Sequence, residues 1–160
     1  MGIGLRKSKC RISIETAFAG RAAFDRRRLK AAAEFFAAKS ASRSSLAFRE
    51  VTIVLQDDEG SDEAHRAIMD VCGATDVITQ RYDAMPGEAP GVYGELYVNV
   101  ERAASAAPSR PGWNVEKELL LYVAHGMDHL SGEDDLDDAG RMRMRRRELK
   151  WLREFSEAQG

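Results

Sequence analysis

The chain has little of several things that would decide its class at once. Its 160 residues include only two cysteines and four prolines, and 24 Lys and Arg stand against 26 Asp and Glu. Cys10 and Cys72 lie far apart and in no CxxC pair, which argues against a disulfide framework and against a zinc ribbon or finger. A reducing cytoplasm fits that usage. No window approaches eighteen uninterrupted apolar residues, and the basic start MGIGLRKSKCRISIE has no apolar run behind it, so neither export nor membrane insertion is expected. The same start lacks the Ser or Thr at the sixth position that myristoylation needs. A formal net charge of −2 supplies no global basic field, so any contact with phosphate has to come from a local patch.

What is present is a series of short strands and helices. CRISIE, 10–15, alternates and reads as a strand; after the Gly20 break, 24–39 reads as an amphipathic helix with Phe24, Leu29, Ala32, Phe36 and Ala37 on its apolar face. The polar run 40–45 reads as a loop. EVTIVLQ, 50–56, is a β-branched central strand, DDEGS after it supplies turn residues, and Ser61 with Asp62 and Glu63 is expected to cap a short helix ending near Gly73. DVITQRY, 76–82, and GELYVNV, 94–100, are the next strands, joined by the Pro- and Gly-rich DAMPGEAPG. Asn114 is the expected N-cap of a strong helix, VEKELLLYVAHGMDHL, stopping near Gly132, and a last helix runs from about Asp137 to Ser156. The order β, α, β, α, β, β, α, α implies one α+β domain over 1–160, with a small mixed four-stranded sheet and helices packed on it.

The chemistry concentrates in HGMDHLSGEDD, 125–135. His125 and His129 lie at i and i+4, so on a helix they share a face and can aim ring nitrogens at one ion. Gly132 can end that helix in a left-handed conformation and turn Glu133, Asp134 and Asp135 back toward the histidines, making a carboxylate available as third ligand. Two imidazoles, one carboxylate and an open position form a catalytic arrangement, whereas a structural zinc site would close with cysteines. Position 126 is Gly where HExxH proteases carry their general base, which disfavours peptide hydrolysis by that route. Glu118 shares the face two turns back and is a candidate supporting partner for the ligands, alongside its plain reading as a solvated first-turn acid.

The run His125-Gly126-x-x-His129-Leu130-x-Gly132-x-Asp134-Asp135 resembles the HGxLHLxGYDH signature of the YbeY metal-dependent endoribonucleases, bacterial rRNA maturation factors. Thr75-Asp76-Val77 resembles that family's TDVLSF segment, and Gly94-Glu95-Leu96-Tyr97-Val98 its GDIxI strand. Glu118 falls where the family has a Glu seven residues before the first histidine, and Met144 and Glu148 where it has an MxxxE pair. The likeness covers roughly 50–152. It implies a metal site on the penultimate helix and the following loop, with ligands His125, His129 and Asp135 and one divalent ion, zinc first among the expectations. The family's third ligand is a histidine, so the Asp135 carboxylate lowers the site's net positive charge and leaves other divalent metals open. Asp128 stands where an apolar residue is usual. The family's catalytic Arg falls at Met69, with Arg66 one turn earlier as the candidate substitute, and Thr79 and Gln80 replace the Ser and Phe of LSFP.

After the motif, RMRMRRRELKWLREF crowds Arg141, Arg143, Arg145, Arg146 and Arg147 into two turns. Arg141 and Arg145 are the candidate RNA-binding residues, since phosphate contacts supply sequence-independent affinity, and the alternative is the solvated face opposite the stripe of Met144, Leu149, Trp151, Leu152 and Phe155. Glu148 falls inside that stripe, where it needs an Arg or a ligand histidine as partner. As the resemblance implies, the leading expectation is a cytoplasmic, metal-dependent hydrolase of single-stranded RNA acting on rRNA and ribosomal particles in maturation and quality control. The alternative, motivated by Met69, is a ribosome-assembly or binding factor that kept the fold and lost catalysis. A non-haem iron oxygenase uses a similar ligand triad but presents it from a β-barrel, which this pattern does not suggest.

Overall fold

The computed structural model describes residues 9–18 and 24–159; the Gly20 break lies outside them. The strands are β1 (Arg11–Thr16), β2 (Phe48–Gln56), β3 (Val77–Tyr82) and β4 (Val92–Asn99), and they form one sheet in the order β1-β2-β4-β3. β1 runs parallel to β2 and β2 to β4, while β3 pairs antiparallel with β4, so the expected α+β class and mixed four-stranded sheet are found. Along β4, Val92, Gly94, Leu96 and Val98 alternate into the core, as a strand with one covered face requires.

Five α-helices occur among the described residues: α1 (Arg26–Ser42), α2 (Asp58–Met69), α3 (Val100–Ala106), α4 (Val115–Leu130) and α5 (Asp138–Gln159). α1 continues three residues beyond the expected boundary because Ser40 is buried against the core, which outweighs the polar look of SASRSS. The N-cap of α2 is Asp57, four residues before the expected Ser61. Asp57 accepts from Gly60 N at 2.8 Å, and Asp58 and Glu59 then occupy a first turn that favours acids, so DDEGS is a helix start where it reads as a turn. Ser61 instead lies inside α2 and exchanges hydrogen bonds with Thr75, Oγ donating to the carbonyl at 3.1 Å and Thr75 N donating back at 3.0 Å. The helix ends at Asp70 in the left-handed region rather than at Gly73. α3 lies in a segment where no helix is expected, opened by Asn99, whose Oδ1 accepts from Arg102 N at 3.0 Å. The expected cap of α4 is found, with Asn114 Oδ1 accepting from Lys117 N at 2.9 Å.

α4 crosses β3 and β4 and is flanked by α1 and α5. Two glycines let it come close. A Cβ at Gly94 would lie 2.7 Å from Leu130 Cδ2, and a Cβ at Gly126 would lie 2.7 Å from Leu96 Cδ2, closer than real side chains approach. Leu96 and Leu130, both fully buried, fill the space the glycines leave, and each such side chain contributes roughly 1.5–3 kcal/mol of hydrophobic stabilisation. Gly126→Val should therefore overpack this seam and lower unfolding free energy by about 1–3 kcal/mol in urea titrations. Unchanged stability would show that α4 can lift from the sheet without cost.

Candidate metal centre

On α4 the direction set by Gly126, inward to Leu96, turns His125 and His129 toward the other side, where α5 and the loop 131–137 meet. His125 Nδ1 donates to Glu148 Oε1 of α5 at 2.5 Å, and His129 Nδ1 donates to the backbone carbonyl of Glu133 at 2.9 Å. With both Nδ1 atoms committed as donors, each ring presents an unprotonated Nε2. These two nitrogens lie 3.0 Å apart, and Asp135 Oδ2 lies 3.7 Å from His125 Nε2 and 3.8 Å from His129 Nε2. Two facing lone pairs so close, with a carboxylate beside them, are stable only around a proton or a cation.

The dimensions fit a metal ion. The triangle of the three ligand atoms has a circumradius of about 2.0 Å, matching the roughly 2.0–2.2 Å of zinc to imidazole nitrogen or carboxylate oxygen. His125, His129 and Asp135 are the cluster among the described residues whose donor atoms could hold an ion together. The turn that delivers Asp135 is the expected one: α4 ends at Leu130, Ser131 N and Oγ both donate to the Asp128 carbonyl, and Gly132 takes φ 99°.

Glu148 is fully buried, and its pairing with His125 answers the question raised by a carboxylate inside an apolar stripe. Burial alone would depress the His125 pKa; the hydrogen bond and charge of Glu148, helped by Asp135 and Asp76, more than offset it and raise it. Glu118, by contrast, touches neither histidine. It is buried beside Arg110 Nε at 3.2 Å, and burial of the Tyr122 ring, helped by the Glu118 carboxylate, holds that phenol well above its ordinary value.

A cavity of about 510 Å³ opens over the site, lined by His125, Asp135, Glu148, Tyr122 and Asp76, with Arg141, Arg145, Arg146 and Met142 from α5. Both expected RNA-binding arginines are therefore at the cavity. Arg141 is held there by Asp138 and by the Asp135 carbonyl at 3.1 Å. Arg66 is not among the lining residues. Its guanidinium, 59% exposed, pairs with Asp62 one turn back on α2 at 3.1 Å, so the substitute sought for Met69 stays on the helix surface. Asp76, Tyr122, Met142 and Arg146 line the cavity without being candidates from sequence, although the TDV segment contains Asp76, the histidine face of α4 Tyr122 and the basic run Arg146. Arg147, counted with the basic patch, is instead turned inward onto Asp128, with Nε 3.1 Å from both carboxylate oxygens. Burial pushes the Asp128 pKa up while Arg147 opposes the rise.

A family model described as Endoribonuclease YbeY matches residues 17–156. Proteins named Endoribonuclease YbeY from Micrococcus luteus and Nautilia profundicola are 40% and 31% identical over 100 and 101 residues, covering 59% and 63% of this chain. The chain spans 63% of the length of the first and 70% of the second. A solution structure from Thermotoga maritima superposes with a TM-score of 0.57 at 25% identity, covering 90% of this chain and 88% of that one. No helix among the described residues is long and apolar enough to cross a membrane.

The raised His125 pKa has a measurable consequence in metal-free protein. Protonated His125 stabilises the fold, a contribution fully present below the ordinary histidine value of 6.5 and lost as pH rises through the folded value. As pH rises from the ordinary histidine value through the raised folded one, the metal-free wild type should lose more stability than Glu148→Gln, read from urea midpoints. Parallel losses would contradict the assignment.

Proposed function

The chain belongs to the YbeY endoribonuclease family, and from that premise we propose that it is a metal-dependent endoribonuclease hydrolysing phosphodiesters of single-stranded RNA in rRNA maturation and ribosome quality control. The observation that carries this reading is the convergence of His125 Nε2, His129 Nε2 and Asp135 Oδ2 beside a cavity that also holds Arg141 and Arg145. His125, His129 and Asp135 would hold one divalent ion, for which zinc is our first choice. Such an ion supplies a Lewis acid beside the scissile phosphate and makes water nucleophilic near neutral pH.

The chain's own residues do the rest. Glu148 and the Glu133 carbonyl keep both imidazoles in the tautomer that leaves Nε2 free. Arg141 and Arg145 bind backbone phosphates and draw the strand across the cavity. Asp76 provides a further carboxylate within the cavity lining for proton handling. We give Arg66 no part in the reaction, because it pairs with Asp62 on the surface of α2 and does not line the cavity.

A second reading is favoured by one observation: position 69, an exposed Met, brings no cation toward the cavity. On that reading the chain is a ribosome-associated assembly factor without turnover. The two separate in one assay. Purified protein supplied with divalent metal should cleave a single-stranded RNA, and His129→Ala should lower the rate by more than the ~10–100-fold expected for losing an outer partner of a ligand, with its fold intact by circular dichroism. Cleavage equal in the variant would reject the metal mechanism, and no cleavage by the wild type together with co-sedimentation on ribosomal particles would favour the assembly factor.

A further inference from the structure

Asp128 lies between the two histidines in sequence but turns away from them, and no solvent reaches it. A solitary carboxylate there would be costly. Arg147 of α5 answers it with a two-pronged contact, Nε 3.1 Å from both oxygens and Nη2 3.0 Å from Oδ2. Stability alone does not account for the pair, since a buried ion pair can usually be replaced by well-packed apolar residues without loss.

The same guanidinium does something an apolar pair cannot. Its Nη2 also lies 3.5 Å from Glu133 Oε2, while Glu133 Oε1 accepts from Arg43 Nη2 at 2.9 Å, just past the end of α1. Glu133 is the residue whose carbonyl takes the His129 Nδ1 proton. Backbone hydrogen bonds from Ser131 and Gly132 to α4 hold the turn before it, and the Glu133 side chain, next in the chain, makes its own contacts. Arg43 holds it by a hydrogen bond, and Arg147 of α5 lies beside it as a second positive charge.

We propose that Asp128, Arg147 and Glu133 form a positioning unit that fixes the carbonyl orienting His129 and so sets the affinity of the site for its metal. This rests on the metal reading above. The unit links α4, α5, the ligand-bearing loop and the end of α1, and it acts through His129 without touching substrate. Arg147 is a positioning residue rather than part of the phosphate-binding patch, its side chain only 15% exposed.

The test is Zn²⁺ affinity by competition with a chromophoric chelator, with urea stability measured on the same samples. Glu133→Ala removes the grip without touching the buried pair; Asp128→Leu with Arg147→Met replaces the pair by apolar groups and guards against misfolding from a lone charge. Both should bind Zn²⁺ about 10-fold or more weakly than wild type, and the double variant should do so at wild-type stability or above. Wild-type affinity in both variants would overturn the positioning role alone. A wild type with no Zn²⁺ affinity would overturn the metal reading and this inference with it.

Discussion

Gly94 of β4 and Gly126 of α4 allow the histidine helix to lie so close to the sheet that Leu96 and Leu130 pack into space a Cβ would occupy. That seam fixes the rotation of α4 about its own axis. With residue 126 turned inward, residues 125 and 129, neighbours on the helix surface, face α5 and the following loop, and the ring nitrogens converge to 3.0 Å. It also explains why position 126 carries no general base: a long acid there would be driven into Leu96, on the wrong side of the helix for chemistry.

From this constraint the two histidines acquire different supports. His125 leans on a buried carboxylate from a separate helix, whereas His129 leans on a carbonyl only four residues ahead in the chain. The first support is rigid because Glu148 sits in the packed stripe with Met144, Trp151 and Phe155. The second belongs to a loop, and loops need anchoring. The Asp128, Arg147, Glu133 and Arg43 contacts provide it, while Asp135, two residues beyond Glu133, inherits its position from the same turn.

Much of this was legible in the sequence because it is local. The i, i+4 histidines, the Asn114 cap, the Gly132 turn and the β4 strand each depend on residues within a few positions, and each is found. The resemblance supplied Asp135 from among three adjacent acids, and Glu148 was suspect for being acidic within an apolar stripe. The failures have physical causes as well. DDEGS looks like a turn, yet Asp57 caps a helix through it, because a cap and first-turn acids outweigh one glycine. Glu118 shares a face with the histidines but is captured by Arg110 from outside the helix, a partner that periodicity cannot reveal. Asp128 and Arg147 are 19 residues apart and become meaningful only when α5 folds back on α4.

Two imidazoles and an aspartate, rather than three imidazoles, make up the proposed metal site. Elemental mass spectrometry on untagged protein, wild type beside Asp135→Ala and His129→Ala, tests that ligand set most directly. About one divalent transition-metal ion is expected per wild-type chain, with loss of that ion in both variants. A wild type that stays metal-free after reconstitution with zinc, manganese or iron, or an Asp135→Ala variant that keeps its full complement, would contradict it.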